Sequence, residues 1–281
     1  MENRALNIHA LPGHGESSAT VLAVTSGKGG VGKTNIAANL AICLAGMDRR
    51  VLLLDADMSL GNLDLVLGLR SPYNISHVLS GHKRIEEIIQ PGPRGLRIIC
   101  GASGLEDLAD IGEGEQQQIL AHLCRLQRQS DMIVIDTAAG ISSSVISFCL
   151  AADQVLVVTT PEATAMADAY GTIKVLVRKH CSAPIYLVVN MARSVVEGRQ
   201  VYRRLAEVAR KFLETDVYYA GTLLKDERLC AAVRSRKPVV LAYPRAPVSL
   251  SLATLAGRLS GTQRYGAPGD SFFRRVIRWF N

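Results

Sequence analysis

From Ala19 onward, short and continuously apolar runs rich in Val, Ile and Leu alternate with longer segments that carry apolar residues at helical spacing. The runs at 20–25, 50–54, 96–100, 132–136, 154–159, 185–189 and about 218–223 predict strands. Because they are apolar on both faces, they suit a parallel sheet covered by helices on either side. Asn35–Ala45, Glu115–Gln129, Ala165–Lys179 and Gly198–Leu213 predict helices between them. This rhythm predicts an α/β fold: one doubly wound, mostly parallel sheet flanked by helices, over residues 19–258. Residues 1–18 are polar, with Pro12, Gly13 and Gly15, and read as a flexible leader. Residues 259–270 have the composition of a linker, and a separate terminal element is expected at 271–281.

Projecting 271–281 on a helix at about 100° per residue gathers Phe272, Phe273, Val276, Ile277, Trp279 and Phe280 on one arc. Arg274, Arg275, Arg278 and Asn281 fall on the other. The arc holds the chain's single tryptophan and three of its five phenylalanines. A basic amphipathic helix of this kind suits an anionic membrane surface or a partner protein, the alternative being a last helix packed on the domain. It is short enough to be marginal in water, so it is expected to order on contact.

Composition narrows the classes. An apolar fraction of 48% in 281 residues supports a sizeable core. No window reaches the roughly 18 uninterrupted apolar residues of a membrane span, and no signal-like apolar stretch follows the first residues. The expected location is therefore cytoplasmic. A net charge of +7 admits nucleic acid, acidic proteins or anionic lipid without choosing among them. The six cysteines stand singly, without metal-ligand spacing, as in a reducing compartment. The histidines show no ligand spacing either. The basic stretch Arg199–Lys211 is mixed with acids and reads as a solvated face, while Arg234, Arg236 and Lys237 stay ambiguous.

Chemistry concentrates where strands end. After the first run comes Gly27-Lys28-Gly29-Gly30-Val31-Gly32-Lys33-Thr34, opening a helix at Asn35. In a G-x-x-x-x-G-K-[ST] loop, backbone N–H groups close around phosphate oxygens, the lysine reaches the β/γ-phosphates and the hydroxyl takes Mg²⁺. ATP and Mg²⁺ are the implied cofactors. Asp55 and Asp57 end the second strand and either face a ligand crevice or cap the next segment. Asp136 follows four apolar residues, the position of a carboxylate that holds Mg²⁺ through water, and Thr137, Ala138, Ala139 and Gly140 are small enough for close approach to a phosphate. Asn190 ends a later strand with an amide able to donate and accept. Asp226 is either a nucleotide contact or a helix cap.

The second lysine of the loop, Lys28, resembles the signature of the deviant Walker ATPases of the MinD/ParA class. The stretch from Leu54-Asp55-Ala56-Asp57 to Leu69 and the segment Asp136-Thr137-Ala138-Ala139-Gly140-Ile141 resemble most the flagellar-number branch of that class, the FlhG/FleN (YlxH-like) proteins. Asn190-Met191-Ala192 and Glu197-Gly198-Arg199 add to the likeness. The resemblance implies a homodimer around two ATP molecules, with Lys28 reaching the partner's nucleotide and Lys33 serving its own. It implies that Asp57 polarises the attacking water, Asp55 supports the metal through its waters, Thr137–Gly140 act as switch II and Asn190 reads the base, with Asp226 assisting.

By the same resemblance the protein is a slow, partner-stimulated ATPase that controls flagellar number or placement. It would act at the inner face of the cell membrane, with the flagellar GTPase FlhF, C-ring switch proteins or a flagellar transcription regulator. DNA is not the expected partner. Division-site placement and DNA partition are the alternative roles in the class. The leader lacks the Asp-Gln-Ala-x-x-Leu-Arg motif of some members, which puts partners that read it in doubt.

Overall fold

The computed structural model describes residues 19–57, 63–101, 113–261 and 271–280. The expected leader, part of the 259–270 linker, the Met58–Asn62 portion of the family-like stretch and Asn281 lie outside the described residues.

In chain order the first half runs β1 (Thr20–Ser26), α1 (Lys33–Ala45), β2 (Val51–Ala56), the short α2 (Leu63–Leu67), α3 (Ile75–Leu79) and α4 (Ile85–Ile88), then β3 (Gln90–Pro91), β4 (Arg97–Ile99) and α5 (Glu113–Arg128). The second half runs β5 (Met132–Ala139), α6 (Ser143–Ala151), β6 (Gln154–Thr159), α7 (Ala163–Arg178), β7 (Ile185–Ala192), α8 (Val195–Leu213) and β8 (Val217–Leu224). It closes with α9 (Glu227–Arg234), α10 (Val239–Ala242), α11 (Pro247–Ser260) and α12 (Phe272–Phe280).

The sheet order is β3-β4-β2-β5-β1-β6-β7-β8. Every pairing is parallel except β3 with β4. All seven predicted strands are present. β5 continues three residues past the expected end at Asp136, because it lies between β1 and β2 and finds pairing on both sides: Ala56 meets Thr137, and Ser26 meets Ala139 after a register shift. The doubly wound expectation holds, with α1, α2 and α9–α11 on one face and α3–α8 and α12 on the other.

Local sequence explains where the helices start. Ser142 caps α6 by accepting from the Val145 N–H, and Ser194 caps α8 by accepting from the Glu197 N–H at 3.1 Å. Glu197 reaches back to the Arg193 N–H at 2.6 Å, which moves the start of α8 three residues before the predicted Gly198.

The tail is where structure and expectation part. α12 does form, yet it is not a detached element: Phe272, Phe273, Val276 and Ile277 are buried in the same core as β1, α5 and α6. Phe272 stacks on Phe148 at 6.5 Å. Gln127 of α5 accepts from Ser271 Oγ at 2.7 Å and from the Phe272 N–H at 3.1 Å, capping the helix from outside. Arg275 donates to the Ala151 carbonyl at 2.9 Å and pairs with Asp153 at 3.0 Å, while the other Asp153 oxygen accepts from the Val21 N–H of β1. Arg274 is exposed. The side chains of Arg278, Trp279 and Phe280 lie outside the described residues. The linker also begins later than expected, since α11 runs to Ser260 and Leu259 within it is a core residue.

Candidate nucleotide site

The sheet carries its polar residues at the carboxyl ends of the strands, where β1 separates β5 from β6 and the chain crosses from one side of β1 to the other. Open α/β sheets hold their ligands at such a switch point. β1 ends at Ser26, and residues Gly27 to Gly32 turn directly into α1. Gly27 lies against α7 so closely that a Cβ there would sit 2.3 Å from the Asp168 carbonyl oxygen. Gly32 has φ +89°, and a Cβ would meet Asn190 Nδ2 at 2.5 Å. Gly29, Gly30 and Val31 lie between them, and Thr34 and Asn35 continue into the first turn of α1. We expect Gly32→Ala to lose ATP binding, because strain and collision both deform the loop. Fluorescent-nucleotide titration with a thermal melt checks this, and binding within a few-fold of wild type would contradict it.

The two lysines of the loop are placed differently. Lys33 is buried and its Nζ lies 2.7 Å from Asp136 Oδ1. Lys28 points away from that cradle: its Nζ reaches Glu162 Oε2 and Thr164 Oγ1, each at 3.0 Å, at the start of α7. These partners lie more than a hundred residues along the chain, and nothing in the sequence pattern marks them.

Asp55 and Asp136 face each other in register on β2 and β5. Asp136 is buried; burial pushes its pKa up, and the Lys33 ammonium and the Thr34 hydroxyl oppose that. Burial is also the main cause at Asp55, whose pKa is pushed up to about 7, with Asp136 and Asp57 adding repulsion and the Asp57 N–H, 3.1 Å away, opposing it. Asp55 and Asp136, both made reluctant to ionise by burial, are carboxylates whose charge a hard divalent cation would relieve. The Asp55 and Asp136 carboxylates and the Thr34 hydroxyl fit Mg²⁺ directly or through water.

The raised Asp55 pKa has a consequence for the nucleotide-free protein. A carboxyl whose folded pKa exceeds its unfolded value stabilises the fold fully below about pH 3.8 and loses that contribution as pH rises through about 7. We expect Asp55→Asn to remove this loss, so that the variant gains melting temperature over wild type between pH 5 and pH 8. Parallel melting curves would contradict it.

Thr137 donates through Oγ1 to the Val24 carbonyl at 3.1 Å. The Gly140 N–H donates to the Ser26 carbonyl at 2.8 Å. Thr137, Ala138, Ala139 and Gly140 are thereby tied to the strand that carries the phosphate loop. Asn190 is buried at the end of β7, where the register with β8 shifts and Met191 takes φ +56°. Its Nδ2 donates to the Val31 carbonyl at 2.8 Å, so the amide oxygen is the end left for a ligand. Asp226 is a helix cap: Oδ1 accepts from the Arg228 N–H at 2.9 Å and Oδ2 from the Val248 N–H at 3.5 Å. Of the two readings open for Asp226, the cap of α9 accounts for Oδ1, while Oδ2 faces the start of α11. The residues expected at the nucleotide are thus gathered at one end of the sheet, while Phe272–Phe280 pack against α5 and α6.

Among known proteins, the ParA family description "NUBPL iron-transfer P-loop NTPase" matches residues 17–260. The antiactivator FleN of Pseudomonas aeruginosa is 39% identical over 239 residues, covering 85% of each chain. The flagellum site-determining protein YlxH of Helicobacter pylori is 37% identical over 265 residues, covering 92% of this chain and 90% of that one. The solved MinC:MinD cell division protein complex of Aquifex aeolicus superposes with a TM-score of 0.69 at 29% identity, over 88% of this chain and all of that one. With its two-lysine loop and its carboxylates at the strand ends, the chain belongs to the ParA/MinD family of P-loop ATPases.

Proposed function

We propose that the chain is an ATP-driven dimerisation switch that sets flagellar number or placement and sits on the inner face of the membrane in its ATP form. The observation that carries the switch is the divergence of the two lysines. Lys33 lies in the chain's own cradle, whereas Lys28 is held at the exposed start of α7, from which it is available to a second copy. Similarity to FleN and YlxH supports the flagellar role, and the word antiactivator supports a transcription regulator among the partners. FlhF and the C-ring switch proteins remain the other expected flagellar partners.

Bound ATP would take the place of Asp136 as the partner of Lys33. Thr34, Asp55 and Asp136 are the residues that would hold the metal, which would neutralise phosphate charge when bound. Asp57 orients the attacking water. Asn190 presents its amide oxygen to the base, and Lys28 of each protomer crosses to the other's phosphates. Phosphoryl transfer asks the protein for positioning and charge compensation, and these residues provide both.

The tail joins this cycle as a masked anchor. In the single chain Phe272, Phe273, Val276 and Ile277 are buried on α5 and α6, so lipid binding through them requires release, and two short anchors hold a membrane better than one. Deleting the gene tests the role. Altered flagellar counts with normal division support it, whereas minicells with normal flagella would assign a MinD role. DNA affinity that falls steeply with salt and survives removal of residues 271–281 would assign a partition role.

A further inference from the structure

The last third of the domain carries charge that the nucleotide site does not use. Between Arg228 and Gly261 the sequence contains no Asp and no Glu. α10 packs against both α9 and α11, and the segment joining them exposes Arg234, Arg236, Lys237 and Arg245. None of these four forms an ion pair among the described residues. Some exposed arginines elsewhere are matched, as Arg50 is by Asp131 and Arg210 by Asp216, but here no acid lies within the stretch to do so. The acids nearest before the stretch, Asp226 and Glu227, stand at the start of α9, where Asp226 accepts from the Arg228 N–H.

The same stretch of chain also exposes apolar side chains: Leu250 is 57% exposed, Val233 43%, Tyr243 39% and Leu241 38%. The backbone beneath them is firmly held. The Val240 N–H donates to Oδ1 of the buried Asn39 at 3.1 Å, and Ser249 Oγ donates to the carbonyls of Tyr243 at 2.8 Å and Val239 at 3.2 Å. Arg236 takes φ +51° with its carbonyl against Gly68, where a Cβ would stand 2.7 Å away. A surface already ordered loses little entropy on binding.

We propose that this ledge, from Val233 to Leu250, docks an acidic amphipathic segment of a partner protein. The four unmatched cations would take its carboxylates, and Val233, Leu241, Tyr243 and Leu250 its aliphatic side chains. Nucleic acid fits less well, because phosphates make no use of exposed aliphatic groups. Like-charged neighbours without acids between them repel in the free protein, and an acidic segment relieves that repulsion.

The test is fluorescence anisotropy on the full chain with three labelled probes. One is an amphipathic helix of about five turns with Leu and Glu on opposite faces, the second the same peptide with Leu replaced by Ser, and the third a short DNA duplex. The Leu/Glu peptide is expected to bind saturably and more tightly than the other two. Arg234→Glu with Lys237→Glu, and separately Leu241→Ser with Leu250→Ser, should each weaken it by about tenfold or more, leaving ATP turnover unchanged. Equal binding of the duplex with no loss in the leucine variant would make the ledge a phosphate site and overturn the proposal. So would the absence of saturable binding by the Leu/Glu peptide, or full binding by the charge-reversed protein.

Discussion

Asp57→Ala is expected to bind ATP about as well as wild type, to hydrolyse it at least about a hundredfold more slowly, and to accumulate as the ATP-bound dimer. Asp57 follows β2 directly, and its backbone N–H rather than its carboxylate supports Asp55. Truncation to Ala therefore leaves the Asp55 contact in place and removes the group that orients water. Phosphate release would report turnover and light scattering the dimer. Unchanged turnover would sink the role given to Asp57, and loss of ATP binding would mean that the carboxylate builds the cradle instead. Lys28→Ala is the natural companion. It should abolish the ATP-dependent dimer while leaving Lys33 and Asp136 untouched, since their 2.7 Å pair is made without it.

The second large effect concerns the tail. Removing residues 271–281 is expected to abolish ATP-dependent co-sedimentation with anionic liposomes. Asp153→Asn is expected to do the opposite and raise lipid binding in the absence of ATP. The asparagine oxygen can keep accepting from the Val21 N–H, but the charge that holds Arg275 at 3.0 Å is gone. A hydrogen bond to a charged group contributes about 1.5–3 kcal/mol, so release should become about tenfold or more easier. The apolar arc and its arginines stay intact for the membrane, where each basic residue adds about 1 kcal/mol. Lipid binding that survives the truncation would end the anchor reading. Nucleotide-free binding that fails to rise in Asp153→Asn would mean that docking on α5 and α6 does not withhold the anchor.

These expectations show how far linear pattern reaches. The strands were readable because a parallel strand covered on both faces is apolar at every position, so each left a continuous run such as Leu52–Leu54 or Ile133–Ile135. The phosphate loop was readable because its geometry demands glycines and a lysine at set spacing within a few residues. The carboxylates were readable for a similar reason: Asp55 and Asp136 interrupt apolar runs at strand ends, where a buried charge needs a purpose. Helix starts were less legible. α8 begins three residues early because Ser194 and Glu197 cap it, a local signal overshadowed by the apolar spacing further along.

Other features depended on residues that meet only in the folded chain. The sequence by itself determined that a doubly wound sheet would form, that a nucleotide loop would follow its first strand, and that the tail would be amphipathic, because each follows from spacing within one segment. Tertiary structure alone decided that Lys28 rests on Glu162 and Thr164, that Asn190 is turned onto Val31, and that Asp226 bridges the starts of α9 and α11. It also decided what the tail's apolar arc meets. An amphipathic helix of this composition satisfies lipid or protein equally well, and only the packing on α5 and α6, with Gln127 to cap the helix and Asp153 to hold Arg275, buries Phe272, Phe273, Val276 and Ile277 in the single chain.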